Sequence, residues 1–357
     1  MNKSKHLKNG DKVAIVSLSS GLLGEPLCNH QLKLGINRIK KLGLVPVFME
    51  NTLRGIDYLH EHPQSRANDL KQAFFDDDIK AIICAIGGDE TYKLLPYLLD
   101  DPTFIEKVKT NPKIFMGFSD TTNNHLMFYK LGMVSFYGLA FLTDFAELDR
   151  NMLSYTEECV KQLFKNNNTI EIKSSKTWYL DRVDYSSKSL GTARIQLPED
   201  KGYDIIYGSG PIEGELLGGC IESLYDGYTG DRYPEQKEIY EKYQLMPTIN
   251  DWKNKIMFIE TSEEKPSPQS FKKYLEYFSE QGIFAVINGL MVGKPIDEVY
   301  YDEYRQILKQ FANKYDLPII YNVNFGHSYP RAILPYGLKT RIDFTNKQIF
   351  IVEALFD

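Results

Sequence analysis

Cysteine is scarce in this chain. There are four in 357 residues, Cys28, Cys84, Cys159 and Cys220, and no two stand in a Cys-x-x-Cys pair. That spacing excludes a zinc ribbon and a dithiol redox motif. Scattered, unpaired thiols read as the reduced cysteines of a cytoplasmic protein. Long apolar runs are missing as well: nowhere do about 18 consecutive apolar residues occur, so no membrane span is expected. The first 21 residues hold basic side chains but lack the apolar stretch and cleavage site of a signal peptide. Positive charge is not in excess either. Lysine and arginine total 42 against 48 acidic residues, a net charge of −6, and no basic run interrupts that balance, which argues against nucleic acid as a partner.

What is present is globular. The chain is 43% hydrophobic and 25% charged, with 24 tyrosines and 20 phenylalanines, enough for two cores or an aromatic-lined cleft. The first 150 residues alternate strand and helix patterns. Apolar strands are expected at residues 13–17, 44–48, 81–86 and 114–117, with helical spacing at 29–41, 63–75 and 91–99. Strands apolar throughout, separated by helices, point to an open parallel sheet covered on both faces. From about residue 157 to 211 no period persists. Strand patterns return at 212–217, 255–260, 285–291 and 318–323, and a hairpin at 340–352 turns near Asn346-Lys347. The expected organisation is an N-terminal domain over 1–165, a linker and long loop over 166–210, and a mixed α+β C-terminal domain over 211–357.

The most informative stretch is Lys113-Ile114-Phe115-Met116-Gly117-Phe118-Ser119-Asp120-Thr121-Thr122. A short apolar strand breaks at Gly117 and presents Ser119 just before a helix, where hydrolases commonly place a nucleophile. Ser119 reads equally well as a helix cap, so a catalytic role requires a base. Histidine is rare, with six in the chain. His6 lies near the terminus and His30 near a helix start. His60 and His62 form a His-x-His pair with one nearby acid, which is too little for a metal site, and no metal is expected. His125 falls on the helix after Ser119. His327, in Asn324-Phe325-Gly326-His327-Ser328, follows a strand end, where open sheets carry functional loops. An orienting carboxylate is offered by Glu260, where the apolar strand 256–259 stops. Gly87-Gly88 ends another strand and allows a backbone amide to approach a substrate carbonyl. Neither Gly-x-Gly-x-x-Gly nor Gly-x-x-x-x-Gly-Lys occurs there, so no phosphate cradle and no cofactor is expected.

In series, Ile86-Gly87-Gly88-Asp89-Glu90, Leu94-Leu95-Pro96-Tyr97-Leu98, Gly117-Phe118-Ser119-Asp120-Thr121-Thr122, Gly214-Glu215-Leu216-Leu217-Gly218-Gly219-Cys220, Phe258-Ile259-Glu260-Thr261-Ser262-Glu263-Glu264 and Asn324-Phe325-Gly326-His327-Ser328 resemble the LD-carboxypeptidase family of serine peptidases, and most of all its microcin C self-immunity branch. The resemblance covers nearly the whole chain. It implies an α/β protein of two domains: a flavodoxin-like or class I amidotransferase-like N-terminal domain carrying Ser119, and a swivelling β/α C-terminal domain carrying Glu260 and His327. In that reading Ser119 is the nucleophile, Glu260 the orienting acid and His327 the general base. Gly88 and Asp120 supply the amides for the oxyanion, and Asp120 also holds the turn. Asp89, Trp178, Thr261 and Ser262 are the expected substrate contacts, with Trp178 or Tyr203 the aromatic set against a nucleobase.

The substrate that the resemblance implies is a small peptide or an aminoacyl-nucleotide, and the partner state a homodimer. Classical members carry Gly-Gly-Tyr-Gly where this chain has Gly-Gly-Asp-Glu, which favours the branch that cleaves aminoacyl-nucleotide antibiotics over release of D-Ala from muropeptides. A two-lobed binding protein is the non-enzyme alternative. A glutamine amidotransferase-like hydrolase would need cysteine where this chain has Ser119.

Overall fold

Residues rich in valine, isoleucine and alanine become the inner strands of a six-stranded sheet. The structure is a computed structural model that describes all residues, 1–357. In spatial order the sheet runs Leu334–Pro335, Phe136–Tyr137, Ile114–Gly117, Ile79–Cys84, Lys12–Val16 and Val45–Phe48. The five strands from the first half are parallel to one another. Helices Asn29–Lys41, Pro63–Phe75, Pro102–Thr110 and Thr122–Lys130 connect or flank them. That cover explains why Ile79–Cys84 and Ile114–Gly117 are almost wholly apolar: every residue of the two strands is buried except Lys80, near the start of the first. The sixth strand, Leu334–Pro335, comes from the far end of the chain and pairs antiparallel with Phe136–Tyr137.

The second sheet has eight strands and is mixed. Pro211–Cys220 sits at its switch: residues 211–215 run antiparallel to Lys339–Asp343, while residues 216–220 run parallel to Ile256–Glu260. Gly289–Gly293 and Ile319–Val323 continue the parallel part. The hairpin Lys339–Asp343 with Gln348–Ile351 forms as its alternation predicts, turning through residues 344–347. The expected strand at 285–291 begins later, at Gly289, because Ile283–Ala285 makes a single turn of 3-10 helix.

The stretch 166–210, read from sequence as a linker and long loop, carries four short strands. Ile170–Ile172 closes one edge of the second sheet and Asp204–Tyr207 the other. Thr177–Tyr179 pairs with Gln196–Pro198 in a separate hairpin. These strands are only three or four residues long and rich in polar side chains, so no period could reveal them. The excursion is bound to both halves. The Ser175 amide donates to Asn324 Oδ1 at 2.8 Å, the Tyr179 amide to the Tyr329 carbonyl at 3.1 Å and the Gly191 amide to the Leu148 carbonyl at 2.7 Å.

One continuous apolar core of 92 buried residues spans both sheets. The two halves therefore meet through an interior, which holds the loops of one against the loops of the other to the precision of close packing. No helix is long and apolar enough to cross a membrane.

Candidate active site

Four of the sequence-predicted elements deliver their residues to one cleft of about 420 Å³ between the halves, lined by Gly87, Gly88, Phe118, Ser119, Glu263 and His327 among others. Each comes from the carboxyl end of a parallel strand, the usual location of ligand clefts in open α/β sheets.

Ser119 follows the strand Ile114–Gly117 and opens the turn into helix Thr122–Lys130. Its φ is +63°, in the left-handed region that a residue with a Cβ rarely occupies. The strain is held in place by what surrounds it. The Ser119 amide donates to the Tyr137 hydroxyl at 3.1 Å. The neighbouring Asp120 carboxylate is buried and accepts from Ser19 Oγ at 2.7 Å, the Thr91 amide at 2.9 Å and Asn123 Nδ2 at 2.7 Å. Burial pushes this carboxyl up and those hydrogen bonds draw it back. Gly87 closes over the turn: a Cβ there would lie 2.9 Å from Ser119 Cβ and 3.2 Å from its Oγ. A side chain fits there only if the serine shifts.

Glu260 is the last residue of strand Ile256–Glu260 and is 1% exposed. Its Oε2 accepts from His327 Nδ1 at 2.7 Å and from the His327 amide at 3.1 Å; its Oε1 accepts from the Tyr137 hydroxyl at 2.5 Å. Gly326 makes that approach possible. Its φ is +85°, and a Cβ on it would stand 2.4 Å from Glu260 Oε2. The His327 ring is also fixed by the Phe118 ring, edge to face at 4.9 Å, and its carbonyl accepts from Arg331 Nη2 at 2.8 Å. Arg331 is buried, paired with Asp144 at 3.0 Å and stacked over Phe118.

The second imidazole nitrogen, Nε2, meets Glu263 Oε2 at 2.9 Å. Burial alone would lower the imidazole, but Glu260 and Glu263 outweigh it and push His327 up to about 10. In return the hydrogen bond from His327 holds the Glu263 carboxyl down to about 2. As folded, His327 is an imidazolium clamped between two carboxylates.

Thus the structure brings together Ser119, Asp120, Gly88, Glu260 and His327. It does not bring all the expected substrate contacts with them. Trp178 is buried beneath the Lys294 ammonium, 4.6 Å from its ring, and does not line the cleft. Tyr203 is likewise core, its hydroxyl spent on the Ile172 carbonyl. Both sit on or beside the short strands of 170–207, whose apolar side chains turn inward. Thr261 and Ser262 are buried, and Ser262 is used to tie its loop to Glu222. Asp89 stands at the rim in an ion pair with Arg232 at 3.3 Å. The aromatic side chains that do line the cleft are Phe118, Tyr185 and Tyr329. His125 is a core residue: its two nitrogens meet Ser135 Oγ and the Gly117 carbonyl, and burial pushes it down to about 3.

Tyr137, Glu263 and Arg331 were missed by sequence reasoning. Glu263 had a signal, lying three residues after Glu260 in Glu260-Thr261-Ser262-Glu263. Tyr137 and Arg331 had none, being ordinary residues of an apolar strand and of a loop.

Residues 13–138 match the family described as the LD-carboxypeptidase N-terminal domain, and residues 213–342 match the LD-carboxypeptidase C-terminal domain. Ser119 lies in the first match, Glu260 and His327 in the second. Among solved structures, a MccF-like protein from Streptococcus pneumoniae in complex with AMP is 46% identical, with a TM-score of 0.91 over 97% of this chain and 99% of that one. A MccF-like protein from Bacillus anthracis is 26% identical, with a TM-score of 0.81 over 98% and 99%. The microcin C7 self-immunity protein MccF of Escherichia coli is 27% identical over 81% of this chain and 78% of its own.

Proposed function

The chain belongs to the LD-carboxypeptidase family of peptidases, and from that premise we propose that it is a serine hydrolase with a Ser119–His327–Glu260 triad, cutting the amide between an aminoacyl group and a sulfamoyl- or phosphoramidate-linked nucleotide. The observation that carries this reading is the Glu260–His327 Nδ1 hydrogen bond at 2.7 Å, set in the same cleft as a serine whose φ is +63°. An imidazole oriented by a buried carboxylate presents its other nitrogen to the cleft, and a serine on a strained turn presents its Oγ.

In the proposed reaction neutral His327 takes the Ser119 proton on Nε2 as Oγ attacks the substrate carbonyl. The amides of Gly88 and Asp120 donate to the tetrahedral oxyanion. His327 then gives the proton to the leaving nitrogen, the carbon–nitrogen bond breaks, and an acyl ester remains on Ser119. Water, deprotonated by His327, hydrolyses the ester and restores the serine. Glu260 stabilises the imidazolium at each stage.

The nucleotide part of the reading is supported by the AMP bound to the Streptococcus pneumoniae relative. The test is a pair of hydrolysis assays, on an aminoacyl-sulfamoyl adenosine and on a muropeptide tetrapeptide, with products read by mass spectrometry. Cleavage of the first and loss of that cleavage in Ser119→Ala, Glu260→Ala and His327→Ala are expected. Release of D-Ala from the muropeptide instead would assign the family's carboxypeptidase reaction, and full turnover by Ser119→Ala would sink the triad.

A further inference from the structure

The ion pair between Glu263 and His327 blocks the atom that the proposed chemistry needs. His327 Nε2 must accept the serine proton, yet it is held by Glu263 Oε2 at 2.9 Å, while Nδ1 is spent on Glu260 at 2.7 Å. The Glu263 side chain is 65% exposed and forms part of the cleft wall. It projects from residues 261–267, a loop whose backbone is tied down on either side of it. The Ser262 amide and hydroxyl both donate to Glu222 Oε1, at 3.0 and 2.8 Å, the Glu264 amide donates to Ser262 Oγ at 3.2 Å, and the Lys265 amide donates to the Ser262 carbonyl at 3.1 Å. A fixed backbone beneath an exposed side chain leaves rotation about the glutamate's own bonds as the route of movement.

The other charges of the cleft are already matched. Arg331 is used by Asp144 and by two backbone carbonyls. Asp181 meets Arg194 at 3.2 Å and accepts from the Tyr185 hydroxyl at 2.6 Å. At the rim, Arg232 lies between Asp89 and Glu264. Glu263 has His327 as its ionic partner. Once His327 gives up its proton, Glu263 faces the cleft as a carboxylate without a counter-charge, close to where an oxyanion develops. Such a charge opposes the reaction unless a cation arrives with the substrate.

We propose that Glu263 is the specificity residue that receives a free α-ammonium on the acyl portion of the substrate, and that binding exchanges the resting Glu263–His327 pair for a Glu263–ammonium pair. This rests on the serine hydrolase reading above and names the substrate class of that same site. The reach is right. Glu263 Oε2 is one hydrogen bond from the nitrogen that must itself be one hydrogen bond from Ser119 Oγ, and an α-ammonium is two covalent bonds from the carbonyl carbon under attack. Protons balance simply. The ammonium keeps its protons, Glu263 stays ionised, and the Nε2 proton of the imidazolium passes to bulk water, leaving a lone pair aimed at Ser119. An acyl group without the ammonium leaves the pair closed and His327 protonated.

The test uses three acyl-sulfamoyl adenosines with the same side chain, carrying a free α-amine, an N-acetylated amine or no amine, against the wild type and Glu263→Gln. The wild type is expected to favour the free amine by about tenfold or more in kcat/KM, the size of one charge-assisted hydrogen bond. Glu263→Gln should compress that preference to about twofold, losing on the amine and gaining on the desamino compound. A preference equal in both proteins overturns the proposal. A second readout needs no substrate: a fluorophosphonate should label Ser119 faster in Glu263→Gln than in the wild type at pH 7, and equal rates overturn the resting pair. If neither protein is labelled and none of the three compounds is cut, the hydrolase reading falls and the proposal falls with it. Because the Glu263 side chain is 65% exposed, the variant should fold, and a single cooperative thermal transition in each protein will establish that both are folded.

Discussion

The Tyr137 hydroxyl donates a 2.5 Å hydrogen bond to Glu260 Oε1, joining a strand of the first sheet to a strand end of the second. The same oxygen accepts from the Ser119 amide at 3.1 Å. One buried phenol thus touches the backbone of the proposed nucleophile and the side chain of the proposed acid. It sets their separation, because neither can shift without straining its hydrogen bond to this buried side chain.

Tyr137→Phe removes that oxygen and leaves Glu260 Oε1 and the Ser119 amide without it. The expected cost is about 1–3 kcal/mol of stability, as for an unsatisfied buried polar group. The loss in kcat should exceed what a change in KM explains, since the geometry between the halves loosens. Chemical denaturation and steady-state kinetics on the same preparation check both.

Gly87→Ala tests the closure over Ser119. The added methyl would stand 3.2 Å from Oγ and 2.9 Å from Cβ of the serine. Displacing a reacting group by about 1 Å is enough to cost about 100-fold in rate, so a shift forced on Oγ by the methyl should slow the reaction. The variant should fold, and labelling of Ser119 by a fluorophosphonate should slow to match. Undiminished labelling would show that the loop yields to the methyl.

The pair His327–Glu263 gives stability a defined pH window. Against the cost of burial, Glu260 first and Glu263 after it raise His327 from its ordinary 6.5 to about 10, so the contribution of the charged imidazole is complete below 6.5 and lost as pH rises through about 10. Glu263 is lowered from its ordinary 4.5 to about 2, so its contribution is complete above 4.5 and lost as pH falls through about 2. The thermal midpoint of the wild type should therefore exceed that of Glu263→Gln most between pH 4.5 and 6.5. The gap should narrow toward both extremes, and a gap that does not vary with pH would show that the pair is not formed in solution.

Glu147 anchors the excursion that covers the cleft. Its carboxylate takes Arg182 at 2.7 Å and Arg194 at 2.6 Å, all three side chains nearly buried. Desolvation would raise this carboxyl, and the two guanidinium groups hold it below the usual range. Breaking such a buried arrangement by removing one partner costs about 3–5 kcal/mol. Glu147→Ala should expose residues 180–195 to protease well before the sheets unfold, which limited proteolysis with mass mapping will register. Cleavage no faster than in the wild type would mean that the arginines find other partners.

The local events were legible in the chain. An apolar strand ending in Gly117, a serine before a helix, paired glycines after Cys84, a carboxylate closing the strand at Glu260 and a histidine beside Gly326 are written in consecutive residues. Their periodicity and breaks follow from backbone geometry alone. They sufficed for a parallel sheet in the first half, a mixed one in the second, and for Ser119, Glu260 and His327, but not for the Glu263 and Arg331 that line the same cleft. Trp178 and Tyr203 show where such reading stops. An aromatic in an irregular stretch gives no sign of whether it faces a ligand or the interior, and both turn inward.

What the sequence by itself determined is therefore the set of strand ends and turns, because each depends on neighbours along the chain. Only the tertiary structure decided which charges and hydroxyls face one another. Tyr137 and Glu260 are 123 residues apart, and His327 and Glu260 are 67 apart. Contacts at that separation exist only because one apolar core spans both sheets and fixes their loops together. The imidazole clamped between Glu260 and Glu263 is a product of that packing, since the order of residues specifies each group but not the environment that sets its charge.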